Sequence, residues 1–470
     1  MRTDENLIGR PKLKARADVR CGRLTLRFSI FSFIVSLIPV AVLAQVLPKA
    51  PNSEVITVTP MAGYFTEPSI AINPNNPQQV VAAYQDNAHI TYSMDAGRHW
   101  MFAAGIAPPN YRVSGDVSVT YDSQGHALIC YIAFDKLGTR SYWAHNSSRN
   151  GIYVRRSLDA GKNWEVKDVA AAEQPDQTNG PFEDKPYIVA DNGHGPYAGN
   201  LYIGWTRWTL TDSRMLFVRS TDSGKTWSKP IEIDDTRGLP RDDNGALEGF
   251  AGVVGPDSTL YGVWADGNHL RLTVSADGGA SFSRTRNIID TAPIMFGVEG
   301  VARANGFPQI GIDPRGGPKG GRLYVTWSDY RNGDVDVFCS TSNDHGATWG
   351  PAVRVNTDAL HNGAEQYFQW MAVDPSDGAA YVVFYDRRGD PKEREQTVVL
   401  ARSTDGGRSF QNYSWTEQGF DAKGAFMGDY SGIAALNGRI YGIWAEKPAD
   451  STTRDTVIRI GIADFNSANR

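Results

Sequence analysis

Cysteine is scarce in this chain: three in 470 residues, at positions 21, 130 and 339, with nothing like a repeated spacing. That excludes a disulfide framework and any zinc module, which needs Cys or His clustered at short intervals. The eight histidines are scattered as well, and the sequence contains no His-Glu-x-x-His, no phosphate-cradling glycine loop and no Gly-x-Ser-x-Gly. No metal or other cofactor is implied. Turn segments such as "DPSDG" (374–378) supply carboxylates, but as turn caps rather than as a calcium loop. Nor is there an excess of basic charge: 47 Lys and Arg stand against 52 Asp and Glu, a net charge of -5. Nucleic acid is therefore not an expected partner, because phosphate neutralisation requires clustered cations.

Long apolar runs are missing too, with one exception. "FSIFSFIVSLIPVAVLA" (28–44) follows a basic stretch with Arg23 and Arg27 and ends with the small residues Val42 and Ala44. This pattern reads as a signal peptide over residues 1–44, cut before Gln45, and predicts a secreted or periplasmic protein. The run is shorter than the roughly 20 residues of a spanning helix, so no stable membrane insertion is expected after cleavage; an uncleaved anchor is the alternative.

Turn-forming and aromatic residues, by contrast, are abundant, with 48 Gly, 12 Trp, 20 Tyr and 19 Phe. Such a composition favours an all-β fold. One octapeptide is written six times: "SMDAGRHW" (93–100), "SLDAGKNW" (157–164), "STDSGKTW" (220–227), "SADGGASF" (275–282), "SNDHGATW" (342–349) and "STDGGRSF" (403–410). The copies lie 55–67 residues apart, enough for one four-stranded sheet each. Within a period, two apolar strands joined by a turn come first, and the octapeptide links a third strand to a fourth. Its glycine suits a positive-φ turn, its Asp and Ser can hold backbone N–H groups, and its Trp or Phe can pack between sheets. Six equivalent copies are fasteners rather than active sites. Counting first strands gives seven units, beginning near Glu67, Asp116, Asp184, Gly249, Pro308, Phe368 and Asp429. The last has three strands, so "SEVITVTP" (53–60) is expected to complete it and close a ring.

The repeated Ser-x-Asp-x-Gly-x-x-Trp/Phe resembles the Asp box, or BNR repeat, of the sialidase superfamily of β-propellers. The resemblance spans residues 67–465 and implies four-stranded blades in one propeller over 45–470. Seven blades follow from the count here, and six, the number typical of sialidases, is the alternative. An up-and-down blade puts the octapeptide turn on one face and the starts of first strands on the other. That second face should carry the carboxylates Glu67, Asp116, Glu183, Asp184, Glu248, Glu365 and Asp429, along with arginines from the ends of second strands.

The segment "DYSGIAALNGRIYGIWAE" (429–446) is similar to the last catalytic blade of sialidases. The likeness implies a retaining glycosidase acting on a terminal acidic sugar, with Tyr430 as nucleophile, Glu365 as the base that activates it and Asp116 as the acid. It also implies Arg207, Arg331 and Arg387 as the grip on a substrate carboxylate. A packed core tyrosine is the other reading of Tyr430. The sequence departs from the family in its first blade, "GYFTEPSIAI", which has no Phe/Tyr-Arg-Ile-Pro and so lacks the first arginine of the triad. The alternative function is a non-catalytic secreted propeller that binds glycan or a protein partner. Either way a carbohydrate or glycoconjugate is the expected ligand.

Overall fold

The computed structural model describes residues 46–466, apart from 104–105, 107–110, 140, 295–296, 316–320, 391–394, 417 and 450. The expected leader and its expected cleavage point fall outside the described residues. Among those described there is no helix, and so none long and apolar enough to cross a membrane. Residues 46–466 form seven antiparallel sheets of four strands, the sixth with a short fifth strand at its edge. The innermost strands are Thr66–Ile72, Val113–Tyr121, Phe182–Ala190, Leu247–Val254, Gln309–Asp313, Gln366–Val373 and Gly432–Leu436. Each packs on the next, and the first packs on the seventh, so the sheets form a closed seven-bladed β-propeller.

Closure follows the expected route. The strand Glu54–Thr57 pairs antiparallel with Val457–Asp464, with Glu54 opposite Ile462 and Thr57 opposite Arg459. This completes the seventh blade and covers what would be an exposed edge. The two cysteines within the ring, Cys130 and Cys339, are buried and free.

The octapeptides fasten blade to blade. In every copy the Ser hydroxyl donates to the Asp carboxylate at 2.7–2.9 Å and accepts the Gly N–H at 2.8–2.9 Å. The same carboxylate accepts the N–H four residues ahead at 2.8–3.1 Å. Glycine is required twice over. At Gly97 φ is +82°, and a Cβ there would lie 2.8 Å from Ile462 and 2.9 Å from Tyr441 of the seventh blade. Each turn thus presses on the blade before it, and its closing aromatic ring joins the core between the two. The seventh blade has no octapeptide and is pinned from the sixth instead. Asp374, the first residue of "DPSDG", accepts the N–H groups of Asn437 and Gly438 at 3.1 and 2.6 Å, while Trp415 donates to Ile462 O at 3.3 Å.

Candidate active site

Five of the seven innermost strands carry a bulge at the same place, near the end remote from the octapeptides. Register slips between Thr66 and Ser69, Gly115 and Ser118, Asp184 and Tyr187, Glu248 and Ala251, and Tyr367 and Trp370. Within each slip one residue has positive φ: Glu67 (52°), Asp116 (47°), Lys185 (52°), Gly249 (76°) and Phe368 (53°). A bulge re-aims a side chain, and left-handed backbone at a non-glycine residue costs about 1 kcal/mol or more. Four non-glycine residues held this way around one axis mark a site.

These strands open onto a cavity of about 480 Å³ lined by Glu67, Asp116, Asp184, Asp242, Glu248 and Asp429, together with Lys185 and Arg303. Its rim is aromatic and apolar, with Tyr64, Leu137, Trp143 and Phe426; Tyr64 is 51% exposed and stacks on Phe426. Carboxylates at the polar floor and exposed rings at the rim suit a sugar, whose hydroxyls need hydrogen bonds and whose C–H faces need a flat apolar partner.

The carboxylates are not equivalent. Burial raises Asp116, but hydrogen bonds from Glu67 and Asp184, with the charge of Lys185, outweigh it and hold Asp116 below the usual carboxylate range. Its Oδ2 also accepts the Lys185 N–H at 3.2 Å. Glu67 and Asp184 are pushed well above their ordinary values, first by burial and then by the Asp116 charge. The shifts favour the negative charge on Asp116 and the protons on its flanking neighbours. Glu248 is raised well above its usual range by burial and by Asp242, and Asp242 itself is raised to about 6, mainly by burial. Arg303 spans the cavity and pairs with Asp242 and with both oxygens of Asp429, its Nε donating to Asp429 Oδ1 at 2.7 Å.

The residues expected from the sequence divide between this cavity and the blades around it. Asp116 lines the cavity, and Tyr430 lies behind it. The Tyr430 ring is 3.8 Å from Lys185 Nζ and 5.3 Å from the Trp370 ring, and its hydroxyl donates to Val117 O at 3.3 Å. Burial and the charges of Asp116, Glu67 and Asp429 raise the phenol well above 10. Glu365 is engaged elsewhere, with Arg387 at 3.1 Å and the Tyr330 hydroxyl at 3.3 Å. Arg207 is held by Glu183 at 2.5 Å, and Arg331 by Asp329 at 2.6 Å. None of these three arginines lines the cavity. The cause is side-chain alternation. Glu183 faces its cross-strand neighbour Arg207, while the next residue, Asp184, faces the axis.

Three charged cavity residues lie outside the set expected from the sequence. Lys185 had a visible signal, a charge inside the apolar first strand "FEDKPYIVA". Arg303 and Asp242 lie in connections between blades, where no periodicity marks them.

No protein-family profile matches this chain, and no curated protein does. Solved structures do resemble it. A Hadza microbial sialidase, Hz136, is 15% identical over 83% of this chain and 74% of its own, with a TM-score of 0.49. The GH93 α-L-arabinofuranosidase of Fusarium graminearum is 11% identical over 86% of this chain and 94% of its own, with a TM-score of 0.44. YCF48 bound to D1 peptide is 14% identical over 89% and 98%, with a TM-score of 0.45. They are a sialidase, another glycoside hydrolase and a protein bound to a peptide.

Proposed function

We propose that this protein is an exported glycoside hydrolase that cleaves a terminal sugar seated in the axial cavity. Asp116 serves as the ionised carboxylate and Glu67 as the acid. The observation that carries this reading is the trio of Glu67, Asp116 and Asp184, side by side on three successive blades, with Asp116 shifted down and its two neighbours shifted up. Glycoside cleavage needs that division of labour. A proton must reach the leaving oxygen as the C–O bond breaks, and a fixed negative charge must face the positive sugar ring that results. Glu67 keeps its proton for the first task, and Asp116 keeps its charge for the second. Asp184 is tied by Trp208 Nε1 at 2.9 Å and by the Lys185 N–H at 3.1 Å, and so positions Asp116. Water then completes hydrolysis and returns the proton. A tyrosine nucleophile would need a phenol lowered by a neighbouring base; Tyr430 is raised, and Glu365 is bound to other groups.

The test is turnover of a panel of fluorogenic α-sialosides and neutral and amino glycosides by wild type, Asp116→Asn, Glu67→Gln and Tyr430→Phe. At least one glycoside should be hydrolysed. Asp116→Asn and Glu67→Gln should each lower kcat/KM by about 100-fold or more, with Tyr430→Phe within about tenfold of wild type. Turnover abolished by Tyr430→Phe but preserved in Asp116→Asn would replace this account with the sialidase mechanism. Wild type inert on the whole panel would leave a non-catalytic propeller that binds glycan or a protein partner.

A further inference from the structure

The sialidase likeness implies an acidic sugar, yet the cavity is arranged for the opposite charge. Six carboxyl groups line it against two cations. The Arg303 guanidinium is consumed by Asp429 on one side and Asp242 on the other. Lys185 is 4% exposed, stands over the Tyr430 and Trp370 rings and faces the charges of Asp116, Glu67, Asp429 and Glu248. A substrate carboxylate placed here would meet no available guanidinium and would stand among carboxyl groups, with the charge of Asp116 beside it.

The acceptors, however, are in surplus. Among the described residues, no N–H or hydroxyl reaches Glu67 Oε2, Glu248 Oε2 or Asp242 Oδ1, although all three atoms are buried and their side chains line the cavity. Buried acceptors need donors. Protons shared between Glu67 and Asp116, and between Glu248 and Asp242, meet that need without a ligand. An ammonium group brings up to three N–H donors and a compensating charge to the same oxygens.

We infer that the sugar taken by this cavity bears a primary amine, and that Glu248 and Asp242 receive the ammonium group while acidic sugars are refused. The inference rests on the glycosidase reading for its substrate but not for its test, because binding is measurable without turnover. Entry of the cation lets a shared proton leave, so uptake of the amine is coupled to proton release.

The experiment is calorimetric titration of the wild-type protein with the methyl glycosides of glucosamine, glucose and glucuronic acid at about pH 6.5, in two buffers of different ionisation enthalpy. The glucosaminide should bind about tenfold or more tighter than the glucoside, with release of roughly one proton, and the glucuronide most weakly. Glu248→Gln should bring the glucosaminide to within about threefold of the glucoside. Equal affinities, tighter binding of the glucuronide, or binding of none of the three would overturn the inference. Amine preference without hydrolysis of any glycoside would sink the enzymatic reading and leave this one standing.

Discussion

Glu67, Asp184 and Glu248 are unfavourable residues for the fold that contains them. Below about pH 4 these carboxyls are protonated whether the chain is folded or not. As pH rises, the unfolded chain gives up its protons, whereas the folded protein holds those of the three groups to higher pH, so each lowers stability once pH passes its unfolded value. Replacing Glu248 with Gln removes that penalty. Its Tm should exceed wild type by about 1–3 °C near pH 8 and match it near pH 4; an equal shift at both pH values, or a loss, would show that burial is not the cause. Asp116 has the opposite sign. Its carboxylate is held below its ordinary range, so its contribution is present above about pH 4 and fades as pH falls through the folded value. Such a mixture of costly and favourable groups is typical of a site kept for function. At this scale the sequence was half legible. Strand starts announced Glu67, Asp116, Asp184, Glu248 and Asp429, since a carboxylate beside an apolar strand must face water or a partner. Glu183 and Glu365 carried the same signal and turned to ion pairs with Arg207 and Arg387, because one residue of register decides which side of the strand a group faces.

The octapeptide is the element whose chemistry was most legible beforehand, because most of its work is local. Ser, Asp and Gly bond within eight residues, while the aromatic ring, the glycine face and, in single copies, Ser223, Gly278 and His345 reach another blade. Two substitutions separate those roles. Ser220→Ala leaves the Gly224 N–H and the Asp222 carboxylate short of a partner, each otherwise bonded at 2.7–2.9 Å. Gly224→Ala keeps both bonds but forces a Cβ onto backbone at φ +79°, with Leu128 Cδ2 of the preceding blade 2.9 Å away. Each should cost about 1–3 kcal/mol, read as a lower urea midpoint. An unchanged midpoint in both variants would reduce the motif to an ornament of the turn. The inner-strand bulges were not foreseen. A bulge changes register without changing the alternation on either side, so nothing in the sequence of the strand marks it.

At the scale of the whole molecule, four residues complete the last sheet of the ring. Among the described residues, Glu54–Thr57 is the only strand paired with the outer edge of Val457–Asp464, and without it that edge loses its cover. A variant lacking residues 46–58 should lose its single cooperative transition and associate in solution, followed by light scattering; a monomer with wild-type Tm would show that the inter-blade fasteners suffice. This closure was legible because an orphan strand at one terminus and a three-stranded blade at the other have few ways to be satisfied. The position of the axial cavity was legible too; its lining was not in full, because Arg303 and Asp242 reach it from connections that follow no period. The claim that this axial mouth is where the reaction occurs is tested most directly by one crystal structure. Asp116→Asn should be soaked with the glycoside that wild type turns over best. The account predicts an intact sugar at the axis, its glycosidic oxygen within hydrogen-bond reach of Glu67 and its ring against Tyr64. A sugar bound instead beside Glu365 and Arg387, or on the face that carries the octapeptides, would contradict it.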